Sequence, residues 1–213
     1  MIKYDNSIEM KRIIIFILFC GIAPTLCTHA WSQTDAKTIL EKTAEVLTSK
    51  GGASASFKMS GAQMGDVEGT LNIKSNKFRA ITPQIKIWFD GTTQWTYIVQ
   101  TNEVNVIEPT KAQQQLLNPY SLINIYKDGY DLDVKSESNS YTVHLTSQSA
   151  TKPMKEIYIT VGKTSYAPSK IRIKEKQNWI TITISNFKAE SQSDNTFKFN
   201  EKDYPTAEIV DLR

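Results

Sequence analysis

The sequence predicts a mainly β fold: one antiparallel sheet of about eleven strands, large enough to curl, with two or three short helices. Three observations predict it. Apolar and polar residues alternate at period two from Ala53 almost to the C-terminus, helical periodicity is confined to two stretches, and each strand is apolar on only one side. Half-apolar strands of this kind belong to antiparallel sheets with one wet face.

The elements follow in chain order. Lys11 and Arg12 precede the apolar run Ile13 to Phe19, and Thr28-His29-Ala30 supplies a small-x-small ending. That pattern describes a signal peptide over residues 1–30, cleaved after Ala30, and the run is too short for a comfortable membrane span. Met10 is a candidate start, because the stretch before it adds nothing a signal needs. Cys20 follows Phe19 and Cys27 follows Leu26, whereas a lipid-modified cysteine needs a small residue before it. Residues 31–213 are therefore expected to form a single domain outside the cytoplasm, with no cysteine and His144 as the remaining histidine.

The domain opens on a helix. Asp35 is placed to cap it, Ile39, Leu40, Val46 and Leu47 recur on one face, and Gly51-Gly52 ends it. Strands follow. Ala53, Ala55, Phe57 and Met59 share a face, as do Val67, Gly69, Leu71 and Ile73, then Ile85, Ile87 and Phe89, then Trp95, Tyr97 and Val99. Asp90-Gly91 is a tight turn, since glycine accepts positive φ and aspartate tolerates turn geometry. After Val104 to Ile107 comes a polar linker, Pro109 to Gln115. A second helix starts with Asn118 as cap and Pro119 at its first position, presents Leu122, Ile123 and Tyr126, and stops at Asp128-Gly129. Alternation resumes through Tyr130–Val134, Tyr141–Leu145, Ile157–Val161, Ile171–Ile173 and Ile180–Ile184, and Phe197 with Phe199 closes the series. Trp88 and Trp179 fall out of phase with Ile87 and Ile180, which points them to the other face, for cross-strand packing or contact with a membrane or partner.

Composition removes whole function classes. A net charge of +3 on 213 residues is too balanced for a nucleic-acid binder, and two cysteines and two histidines leave little for a metal centre. No cofactor, metal or catalytic residue is expected. Gly162-Lys163-Thr164 ends like a phosphate-binding loop, but Ile157 occupies the required earlier glycine position. His144 lies on the polar side with Thr142 and Thr146, and Asp131 and Asp133 share a wet side with Lys135. The chain does not read as an enzyme.

A sheet this large either closes on a side-chain-filled interior or curls around a cavity that a ligand fills, and the pattern leaves both open. An apolar cavity in an extracytoplasmic protein without catalytic machinery suits a carrier of lipid. At about 0.8 kcal/mol per methylene, moving a ~16-carbon acyl chain into water costs on the order of 12 kcal/mol.

Specific residues narrow this further. Gly69-Thr70-Leu71-Asn72-Ile73-Lys74 leading into Lys77-Phe78-Arg79, the stretch Asp90-Gly91-Thr92-Thr93-Gln94-Trp95-Thr96-Tyr97, Asn118-Pro119, Phe197-Lys198-Phe199 and the ending Val210-Asp211-Leu212-Arg213 occur in order. With them the chain resembles the LolA-type periplasmic carriers that move lipoproteins to the outer membrane. The resemblance implies an incomplete β-barrel with helices as a lid over an apolar cavity. It implies lipoprotein acyl chains as cargo, an inner-membrane lipoprotein-releasing transporter as donor and an outer-membrane acceptor, with no nucleic acid and a monomeric carrier. The cavity and lid residues it suggests are Phe57, Leu71, Ile73, Phe78, Arg79, Ile87, Phe89, Trp95, Tyr97, Leu122, Ile123 and Tyr126. Each has a plainer reading: ordinary core for Trp95 and Tyr97, a fixed core-facing helix for Leu122, Ile123 and Tyr126, and a surface ion pair for Arg79. Many members carry a basic residue and proline, thought to latch the lid, where this chain has Ser75-Asn76, and Ala80 replaces the usual tryptophan. A lipid- or lipoprotein-sensing module of the same fold and a structural β-domain with a filled core are the alternatives.

Overall fold

The computed structural model describes residues 35–62, 65–111, 113–114 and 118–213. The leader over residues 1–30 lies outside them. Helix α1 (Ala36–Thr48) starts where Asp35 accepts the Lys37 amide at 2.8 Å. It buries Ala36, Ile39, Leu40, Thr43 and Leu47, spaced three and four apart. Thr43 sits among them because its hydroxyl donates to the Ile39 carbonyl at 2.9 Å. The chain then leaves the helix through Gly51 and Gly52, both at positive φ.

Strands β1 (Ala53–Gly61), β2 (Gly65–Lys74), β3 (Lys77–Ile81), β4 (Ile85–Phe89), β5 (Gln94–Ile98) and β6 (Glu103–Ile107) form a meander. Helix α2 (Pro119–Ile123) and a 3-10 turn at Ile125–Lys127 lead into a second meander. Its strands are β7 (Tyr130–Ser136), β8 (Ser140–Ser147), β9 (Met154–Gly162), β10 (Pro168–Glu175) and β11 (Asn178–Ala189). After 3-10 turns at Asp194–Phe197 and Glu201–Asp203, the short strand β12 (Glu208–Asp211) pairs parallel to β6. The two meanders become one sheet because β1 pairs antiparallel with β11. The result is one curled, unclosed 12-stranded sheet in the order β12-β6-β5-β4-β3-β2-β1-β11-β10-β9-β8-β7.

Among the described residues the sheet has twelve strands, in line with the about eleven expected, the charged ending Glu208–Asp211 adding one at the edge of β6. Two sequence expectations are corrected. Phe197 is not in a strand. It is fully buried in a 3-10 turn capped by Ser193, and Phe199 packs across the sheet on Trp88 at 5.4 Å. The polar stretch read as a linker turns helically at residues 111, 113 and 114, with the Gln114 amide donating to the Thr110 carbonyl at 2.9 Å.

The main core lies between α1, α2 and one face of β7–β11. Ile39, Leu40, Ile123, Val143, Leu145, Ile157, Ile159 and Val161 are shielded there, continuing into Ile73 of β2. Burying each such side chain contributes about 1.5–3 kcal/mol.

Candidate functional site

Strand register decides which side chains share the helix-covered face. Ile73 lies opposite Phe78, and Phe78 opposite Phe89. Leu71, Ala80 and Ile87 form the next row, and Phe57 is paired with both Gly69 and Ile184. These residues therefore make one apolar surface running from the closed core onto β1–β4. Ile73, Phe78 and Phe89 are buried, and the Phe78 and Phe89 rings sit 5.6 Å apart. Phe57, Leu71 and Ile87 are only half-buried. Met59 and Val67, paired on the same face and also half-buried, extend this surface beyond the residues singled out from sequence. Their signal was the same alternation.

The surface has room because of a glycine. A Cβ at Gly69 would come within 2.7 Å of the Phe57 ring and 2.3 Å of the Ile81 carbonyl oxygen. The absent side chain lets Phe57 lie across its partner strand.

Helix α2 seals the end of this face nearest the core. Leu122 and Ile123 are buried with Ile125 and Tyr126 in the cluster that includes α1 and Ile73. Burial, reinforced by the charge of Glu41, pushes the Tyr126 phenol above its ordinary pKa. The cap is Asn118, 1% exposed, whose Oδ1 accepts from the Tyr120 and Ser121 amides at 2.9 and 3.4 Å.

Arg79, Trp95 and Tyr97 are not brought to this face. Arg79 is opposite Trp88, Trp88 opposite Trp95, and Lys86 opposite Tyr97. All project from the other side of the sheet. There the Tyr204 ring packs on Tyr97 at 4.6 Å and on Trp88 at 5.8 Å, and the Tyr97 hydroxyl donates to Asn102 Oδ1 at 3.1 Å. Thr96 and Ile98, not Trp95 and Tyr97, are the β5 residues in register with Ile87 and Ile85.

The opposite face of β8–β11 carries a polar-aromatic cluster. His144 stacks on Tyr158 at 4.1 Å and lies 3.4 Å from the Glu156 carboxylate. Lys174 donates to Glu156 at 2.6 Å, the main cause holding that carboxyl below its ordinary range. Trp179 is on this same side, with the Arg172 guanidinium 4.5 Å from its ring centroid. His144 is thus half-buried and stacked rather than simply solvated. Among the described residues no group of three or more His, Cys, Asp or Glu is placed to hold a metal, and no helix is long and apolar enough to cross a membrane.

Comparison with known proteins adds to this geometry. The family model for the outer membrane lipoprotein carrier protein LolA matches residues 26–177. An uncharacterized conserved protein from Thermus thermophilus has a similar structure, with a TM-score of 0.57 at 12% identity over 83% of this chain and 98% of that one. A LolA superfamily protein from Nitrosomonas europaea is similar at a TM-score of 0.43 and 11% identity, over 77% of this chain and 97% of that one. Lipoprotein LppX from Mycobacterium tuberculosis is similar at 0.47 and 9%, over 76% and 99%. At these identities the likeness is one of fold. No curated protein matches the sequence.

Proposed function

Because the chain belongs to the outer membrane lipoprotein carrier protein LolA family, we propose that it is a periplasmic carrier that binds the acyl chains of lipoproteins and shuttles them from the inner to the outer membrane. The observation that carries this reading is the apolar face that leaves the closed core and emerges half-buried at Phe57, Leu71 and Ile87. A filled structural domain has no need of a half-exposed apolar row beside its core.

The mechanism follows from the physics of transfer. Each buried methylene recovers about 0.8 kcal/mol, so a groove that covers most of an acyl chain removes most of the barrier to leaving the membrane. Phe57, Leu71, Ile73, Phe78, Ile87 and Phe89 supply the surface. Leu122 and Ile123, on a helix of five residues, and Tyr126, in the 3-10 turn that follows, supply a lid that depends on its cap and packing rather than on the helix's own stability. Cargo enters when α2 swings away from Ile73 and the acyl chain replaces the lid side chains. Handover to an outer-membrane acceptor requires only that the acceptor bury the chain more completely. No covalent step is involved, so no catalytic residue, metal or cofactor is needed. The donor is an inner-membrane transporter that releases lipoproteins, the cargo-loaded carrier is a monomer, and export runs through a leader cleaved after Ala30.

Depletion of the protein in its native cell is the test. Lipoproteins accumulating in the inner membrane fraction support the carrier. Normal sorting with an altered envelope stress response favours the sensing alternative.

A further inference from the structure

The other side of β3–β5 holds a cleft that lipid carriage leaves unused. It has a volume of about 500 Å³ and is walled by Arg79, Trp88, Lys198, Phe199, Asp203 and Tyr204. The three aromatic rings pack on one another, Trp88 edge-to-face with Phe199 and Tyr204, with centroids 5.3 to 5.8 Å apart. The C-terminal segment following β11 forms the outer wall, so the cleft exists only once that segment has folded across the sheet.

Arg79 is the unexplained group in it. Its Nε is shielded from solvent and has no hydrogen-bond partner among the described residues. The guanidinium carbon sits 6.0 Å from the Trp88 ring centroid, at the outer reach of a cation–π contact, which gives Nε no acceptor. Nearby charges are already engaged elsewhere. Lys74 and Lys77 both pair with Asp194, at 3.2 and 2.8 Å, and Lys86 donates to the Tyr204 hydroxyl at 3.3 Å. The cleft's own carboxylate, Asp203, receives a hydrogen bond from Asn200 Nδ2 at 3.1 Å and makes no ion pair with Arg79 or Lys198. A shielded donor without a partner costs free energy, and an acceptor brought by a ligand would recover it.

We propose that this cleft binds a carboxylate-bearing ligand, with the Arg79 fork holding the carboxylate and Trp88, Phe199 and Tyr204 holding an adjoining apolar group. Two cations against one anion favour an anionic ligand. Asp203 in the wall selects a monoanion over a phosphate dianion, and the planar guanidinium matches a carboxylate bidentately. The carboxylate of a free aromatic acid and that of a polypeptide C-terminus share this chemistry.

The test uses the isotope-labelled mature chain and three probes: benzoate, a tetrapeptide ending in phenylalanine with a free carboxylate, and the same peptide as its C-terminal amide. The expected result is a saturable shift of the Arg79 Nε–H and Trp88 side-chain resonances with benzoate or the acid peptide. The tighter of the two identifies the source of the carboxylate. The amide should bind about tenfold more weakly or worse, and Arg79→Gln should cost a similar factor. Lys198→Gln, at an exposed position, should weaken binding several-fold without affecting folding. Arg79→Leu should raise the Tm, because it removes a shielded donor that has no partner. Acid and amide binding alike, an Arg79 resonance indifferent to both acids, undiminished binding by Arg79→Gln, or a Tm lowered by Arg79→Leu would each overturn the proposal.

Discussion

The side chain of Asn118 ties α2 to the sheet: its Nδ2 donates to the Asn76 carbonyl in the β2–β3 turn at 2.6 Å while its Oδ1 caps α2. Both halves of one buried carboxamide are therefore used. The contact falls at the Ser75-Asn76 turn, where Ser75 adopts a positive φ of 52° and the acceptor offered to α2 is a backbone carbonyl. Asn118→Ala should lose the cap and leave the Asn76 carbonyl without this donor, destabilising the protein by about 1–3 kcal/mol. Chemical denaturation measures the loss. Amide exchange at Tyr120 to Ile123 should accelerate, and so should uptake of a fluorescent fatty acid.

Gly69 controls the depth of the apolar row. A methyl there meets both the Phe57 ring and the Ile81 carbonyl oxygen at well under contact distance. Gly69→Ala should therefore cost about 1–3 kcal/mol by overpacking, and the displaced Phe57 should weaken fatty-acid binding. Retained stability together with undiminished binding would show that Phe57 does not border the cargo.

Glu156 should contribute to acid sensitivity. Its carboxyl is held below the ordinary value of 4.5, mainly by the Lys174 hydrogen bond, with the charges of Lys174 and His144 assisting. A depressed folded-state pKa contributes stability that is present above pH ~4.5 and is lost as pH falls through the folded value. The wild-type Tm should drop between about pH 5 and pH 3 more steeply than that of Glu156→Gln. Parallel profiles for the two proteins would remove Glu156 as the cause.

The C-terminal segment should act as a lid of another kind, over the aromatic side of the first meander. Tyr204 packs on Trp88, Tyr97 and Phe199 and accepts from Lys86. Tyr204→Ala should cost about 1–3 kcal/mol and shift tryptophan emission to longer wavelength as Trp88 becomes hydrated. Unchanged emission would mean that Trp88 is buried by other groups.

That aromatic side also explains what could and could not be read in advance. Strand after strand was legible in residues 53–189 because a one-sided sheet writes its alternation into the chain. The α2 start was legible too, since Asn118-Pro119 is a local signal. In β5 the register turns Gln94, Thr96 and Ile98 to the helix-covered side, so the more apolar phase of the strand, Trp95 and Tyr97, faces away from it with Trp88 of β4. Period-two reasoning, which assigns the more apolar phase to the covered side, then picks the wrong face. The four-residue connection Asp90 to Thr93 fixes the register, with Asp90 Oδ1 accepting from the Thr92 and Thr93 amides, and puts Trp95 opposite Trp88. Which face the helices cover depends on residues more than a hundred positions away, Phe199 and Tyr204, that bury the other one. The parallel strand β12 escaped for a similar reason. Glu208–Asp211 is charged at both ends, and only its pairing with β6 makes it a strand.

Face-selective photo-crosslinking tests the proposed function most directly. A photo-reactive phenylalanine analogue is placed at Ile87, on the helix-covered face, or at Trp95, on the opposite one. The protein is then illuminated in the periplasm and adducts are identified by mass spectrometry. Acyl-bearing lipoprotein adducts from position 87 and not from position 95 are the predicted result. Adducts from position 95 alone, or none from either position while both variants remain folded, would contradict acyl carriage on the face built from Phe57, Leu71 and Ile87.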